Sequence, residues 1–154
     1  MAMKSLSDPR CKQELFERLS RLRPDSPRCR GKMTSPQMVC HLSDSVRGVM
    51  GVRPLSRAPG WIARGFLKWF ALYVPVSWPR NYPTRPEMDQ LIGGTPPTYF
   101  LNDVGDLREV LDRFTRNPRT FQWQPHPIFP DMSERDWMRW GYLHMDHHLR
   151  QFGI

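Results

Sequence analysis

The sequence predicts an all-α fold, and three observations carry that prediction. Apolar residues recur at three- and four-residue spacing in several separate stretches. Helix-start signals, a hydroxyl or carboxylate followed by proline or acids, stand in front of these stretches. Strand-like alternation is scarce throughout. The expected architecture is four principal helices, one inserted helix and long proline-rich loops.

The first helix, 8–22, carries Leu15, Phe16, Leu19 and Leu22 on one face, with Pro24 and Pro27 ending it. Thr34-Ser35-Pro36 starts the second: a hydroxyl cap, then proline in the first turn, where its missing N–H costs nothing. Its stripe is Met38, Leu42, Val46 and Val49, and Gly51 and Pro54 stop it near residue 50. The inserted helix is read at 59–75 and is rich in aromatics: Trp61, Phe66, Trp69, Phe70 and Tyr73. From 75 to 99 the chain reads as irregular, with one helical turn around 87–92. A loop this long carries a function or lies over the core, here over one end of a bundle. Asp103 is read as the cap of a helix at 104–116, with Leu107, Val110, Leu111 and Phe114 inward and Pro118 as its stop. Ser133-Glu134-Arg135-Asp136 opens the last helix, its acids in the first turn where the helix dipole favours them. That helix carries Trp137, Trp140, His144 and His148.

Composition bounds the function. A chain of 154 residues fits one domain, 1–154, with an insert at about 51–102. Such a domain buries about 70% of its extended-chain surface without staples. The net charge of +8 permits anionic partners, but the arginines are spread rather than blocked and read as a solvated surface. Cys11, Cys29 and Cys40 form neither a disulfide framework nor a zinc-knuckle spacing. No apolar signal-peptide core stands near the start, and the longest apolar run, 69–74, is far shorter than the ~20 residues of a membrane span. The expectation is a soluble, cytoplasmic protein with no membrane partner.

The histidines carry the chemistry. His144 and His148 lie at i and i+4, so their rings share one face, and that face points to the core. His147 lies about 80–100° away and chelates less well with them. His41 flanks the apolar stripe of its own helix, ~9 Å from the helix start. His144 and His148 are ~6–12 Å from the end of theirs. Antiparallel neighbours would bring all three rings to one level, whereas parallel helices would offset them by roughly 10 Å. His41, His144 and His148 are therefore the candidate ligands of a divalent metal, and their convergence requires antiparallel helices. Three imidazoles leave coordination positions open, as catalytic sites do, and suit zinc, nickel or iron. Asp44, one turn past His41, and Gln151, one turn past His147, are candidates for the groups behind these ligands or for the pocket. Cys40 points about 100° away from His41, and His126, beside Pro127, reads as a loop residue rather than a ligand.

The segment from Lys32 through Thr34-Ser35-Pro36 and His41 to Ser45, and the C-terminal His144-Met145-Asp146-His147-His148-Leu149-Arg150-Gln151-Phe152-Gly153, resemble the DinB/YfiT-like metalloenzyme superfamily, closest to a DinB-like branch without assigned activity. Asn81 to Glu87 and His126-Pro127-Ile128-Phe129 are similar to that branch's loops. The resemblance implies a four-helix bundle, up-down-down-up, with the second and last principal helices antiparallel. It also implies a metal triad of one histidine from the second helix and an H-x-x-x-H pair from the last, matched here by His41, His144 and His148. Some relatives are transferases or isomerases that use low-molecular-weight thiols such as bacillithiol, mycothiol or glutathione. The chain departs from the pattern in its aromatic insert and in Pro130, where a glycine is expected.

The functional expectation is a metal-dependent enzyme acting on a small molecule, with an S-transferase using a low-molecular-weight thiol as its specific form and a hydrolase or a homodimer compatible with it. Two alternatives stand beside it. One is a non-catalytic module binding through its basic surface, although no nucleic-acid-binding motif is present. The other is a degenerate bundle whose histidines only pack.

Overall fold

The computed structural model describes residues 3–59, 65–79 and 82–154. Trp61 and Asn81, both singled out above, lie outside these residues. Among the described residues the chain forms five α-helices and no strand.

Helix α1 spans Pro9–Leu19. Asp8 caps it by accepting from the Arg10 N–H at 2.9 Å. It stops three residues short of the expected 22, because Arg21 and Leu22 close tighter i→i+3 turns onto Arg18 and Leu19. Leu22 is still buried, so the turn completes the apolar stripe.

Helix α2, Ser35–Val49, starts with a full capping box: Thr34 accepts from the Gln37 N–H while the Gln37 side chain accepts from the Thr34 N–H. It is the most enclosed helix, with twelve buried positions. Gly51, at φ +75°, takes the left-handed conformation that ends it.

Helix α3 is described over Gly65–Tyr73, within the 59–75 expected. Residues 60–64 are not described, and the helix stops before Val74, which Pro75 disfavours as helical. Leu72 is fully buried, while Phe66, Trp69 and Phe70 face outward. The loop after α3 holds a 3₁₀ turn at Pro86–Met88.

Helix α4, Phe100–Thr115, begins four residues before the expected 104. Asp103 is thus not its cap but sits in the first turn. From there its carboxylate reaches back to the Thr98 N–H at 2.9 Å and the Thr98 hydroxyl at 2.7 Å.

Helix α5, Glu134–Leu149, opens on the Ser133–Asp136 capping box. Asp136 also accepts from Tyr73 at 2.5 Å and Lys68 at 3.2 Å, which fastens α3 to the start of α5.

Helix α2 packs against α4 and α5, and α1 and α3 pack against α5. Leu15, Leu19, Leu42, Leu111, Phe114 and Trp137 fill the space between them. The order of contacts along α2 and α5 is reversed. The Cys29 backbone N–H, ahead of α2, donates to the Gln151 carbonyl past α5 at 2.7 Å. At the other end, Gln124, upstream of α5, donates to the Val49 carbonyl at 2.8 Å. The two helices run in opposite directions, as convergence of the three histidines requires. No described helix is long and apolar enough to cross a membrane.

Candidate metal centre

Where α2 and α5 cross, His41, His144 and His148 each offer one ring nitrogen, and these nitrogens lie within 4.8 Å of one another. The ring centroids are 4.7 Å apart for His41–His148, 4.9 Å for His144–His148 and 5.4 Å for His41–His144. The two Nε2 atoms of His41 and His144 are 3.4 Å apart. His41 and His148 are buried, and His144 is partly exposed to a cavity of about 580 Å³ beside the cluster.

Two of the three rings are held from behind. The His41 Nδ1 donates to the Met88 carbonyl at 2.9 Å, and the His148 Nδ1 donates to the Gln151 Oε1 at 3.1 Å. Both acceptors are oxygens, so both protons sit on Nδ1 and each Nε2 keeps its lone pair. Burial lowers the pKa of His41. It pushes His144 and His148 well below the ordinary histidine value, and their imidazole neighbours lower them further. All three are neutral near pH 7, the form that binds a metal. The donor set therefore fits a divalent cation: three neutral imidazoles, two in a fixed tautomer, with open positions on the cavity side.

Gln151 meets two histidines at once. While its oxygen holds His148, its amide nitrogen donates to the His147 Nε2 at 3.3 Å. His147 is thereby engaged, lies tilted against Trp78 at 5.8 Å, and stands outside the three-histidine cluster.

Asp44 makes no hydrogen bond to the three clustered histidines. Its fully buried carboxylate accepts from Arg53 at 2.5 Å, the Thr95 N–H and hydroxyl at 2.7 Å each, and Gln90 at 3.1 Å. Arg53 also donates to the Gly93 carbonyl at 2.9 Å. Asp44 thus anchors the loop that presents the Met88 carbonyl to His41.

Cys40 is buried and its thiol is pushed up to about 12, chiefly by burial, which leaves it protonated and apart from the cluster. His126 is in a loop, as expected, but its ring is enclosed rather than solvated. Trp137, Trp140 and Phe129 surround it. Sequence reasoning missed Met88, Arg53, Thr95 and the burial of His126. Only the last had a signal, the density of aromatics around it.

The cavity wall is mainly apolar, with Met33, Leu55, Trp78, Ile128, Phe129 and Trp140 among its residues. Such a chamber suits a small molecule, with the histidines as its polar end.

Residues 5–153 match the model of a family described as "Protein of unknown function (DUF1569)". No curated protein and no solved structure matches the chain.

Proposed function

The chain belongs to the DUF1569 family, and from that premise we propose that it is a metal-dependent enzyme of the DinB/YfiT-like type. In this reading α1, α2, α4 and α5 are the four helices of an up-down-down-up bundle, and α3 is the insert. His41, His144 and His148 would hold the ion, with zinc, nickel or iron as the candidates. A bound ion supplies Lewis acidity to a small nucleophile, water or thiol.

The single observation that carries the reading is the clustering of three ligand nitrogens within 4.8 Å on the wall of a substrate-sized cavity. The chain's own residues supply the rest. Gln151 and the Met88 carbonyl orient two of the rings. The apolar wall excludes water from the reacting groups. Our specific form of the proposal is transfer of a low-molecular-weight thiol, with the exposed Lys32 on the wall available to its carboxylates.

The test is elemental analysis of protein purified without a histidine tag, followed by zinc and nickel titration. The expected result is about one equivalent of metal, reduced at least about tenfold in His148→Ala. Metal below about a tenth of an equivalent, with no uptake on titration, would overturn the proposal. One observation favours the packing-only alternative: the His41–His144 contact at 3.4 Å also serves as a hydrogen bond between rings. Under that reading His144→Gln leaves metal content unchanged.

A further inference from the structure

His126 stands outside the three-histidine cluster, and its surroundings give it one protonation state. Its Nδ1 accepts from two backbone amides, the Ile128 and Phe129 N–H groups, each at 3.1 Å. A ring nitrogen that accepts must carry its lone pair, so the single proton sits on Nε2. The ring lies flat against Phe129 at 4.7 Å and edge-on to Trp140 at 5.2 Å, and the residue is only 3% exposed. Burial pushes its pKa down to about 3, so the cationic form is absent at neutral pH.

The Nε2–H finds no acceptor among the described residues. The His126 ring forms part of the cavity wall. Trp140 touches both His126, at 5.2 Å, and His144, at 5.0 Å. The His126 ring thus lines the same chamber, one aromatic ring away from the histidine cluster.

We propose that the His126 Nε2–H is the polar anchor of this cavity, where it receives the neutral carbonyl oxygen of an otherwise apolar substrate. This names a substrate class for the site and rests on the metal-enzyme reading for the reaction, though not for the binding. A fixed, uncharged donor suits an uncharged oxygen. Such a bond is expected to favour the carbonyl compound about three- to tenfold over an isostere without the oxygen. An ionised carboxylate fares worse, because stripping its water costs more than one neutral donor returns. Of the cationic residues on the wall, Lys32 is solvent-exposed and Arg85 is tied to Ser56 at 2.7 Å.

The test uses the full chain labelled with ¹⁵N-histidine, both metal-free and zinc-loaded, with acetophenone, ethylbenzene and benzoate as probes. The expected spectra show His126 as the neutral Nε2–H form from about pH 5 to pH 8. Acetophenone should shift its Nε2–H resonance and bind about three- to tenfold more tightly than ethylbenzene, with benzoate weaker than acetophenone in the metal-free protein. His126→Phe should abolish the preference for acetophenone; if that variant does not fold, the shifts in the native chain decide. A proton on Nδ1, equal affinity for the two neutral probes, or no binding of acetophenone overturns the proposal. Zinc content is read on the same samples. Failure to bind zinc sinks the metal reading alone, since the probe comparison in metal-free protein does not depend on it.

Discussion

The Nδ1–H of His41 donates to the carbonyl oxygen of Met88, 2.9 Å away in space and 47 positions later in the chain. One bond thus joins the most enclosed helix to a 3₁₀ turn in the long loop, and it decides which nitrogen of His41 faces the cluster. The loop is part of the site, and its anchors are open to mutation.

Asp44→Asn should loosen that loop. The change keeps size but removes the charge facing Arg53, whose side chain is 25% exposed while that of Asp44 is 0% exposed. Breaking a fully buried pair costs about 3–5 kcal/mol, and the partial exposure of Arg53 brings the expected loss to about 2 kcal/mol. Urea denaturation measures it, and hydrogen exchange should quicken first at 86–95. A variant as stable as the parent would refute this account of Asp44.

Gln151→Leu removes the acceptor behind His148 and the donor to His147 together. Zinc affinity should fall about 10- to 100-fold with the helices intact, as measured by competition with a chelator. Unchanged affinity would mean that the amide does not orient the ligand.

Ser133→Ala deletes half of the capping box at the start of α5. The expected cost is about 1 kcal/mol, a drop of about 2–4 °C in Tm for a chain of this size. Metal affinity should not change, because the ligands lie at the far end of the helix. Scanning calorimetry of the metal-free and loaded forms separates the two effects.

Stability should fall in mild acid, and His126 gives the sign. Its pKa is about 3 when folded, against 6.5 in the open chain. Between these values the unfolded chain binds a proton that the folded one does not. The contribution of His126 is therefore full above about pH 6.5 and is lost as pH falls towards about 3. The slope from one such group is at most about 1.4 kcal/mol per pH unit. Urea midpoints of the metal-free parent should decline through this window more steeply than those of His126→Phe. Parallel curves would contradict the assignment.

The parts of the site that could be read from sequence are those that helix geometry repeats. His144 and His148 share a face because of their spacing, and His41 reaches them because α2 and α5 run oppositely. Gln151 was in reach for the same reason, one turn past His147. Met88 was not, because its contribution is a backbone carbonyl, which every residue type carries. Arg53 and Thr95 meet Asp44 only through loop closure, which leaves no periodicity. The early start of α4 was hidden because Tyr99 caps it without a side-chain bond, while Asp103 resembles a cap from inside the helix. His126 was placed correctly in a loop, but a loop position does not reveal that three aromatic residues close over it.

His41 and His144 are 103 positions apart. Under the metal reading, an ion held between them is a staple across most of the chain, because the two ligands meet only after α2 and α5 have docked. Its binding free energy is then folding free energy for the whole protein, growing with the logarithm of free ion over dissociation constant. A fall in metal supply would enlarge the population open to proteolysis as well as lower the activity. The abundance of this protein would become a record of how much metal its surroundings hold.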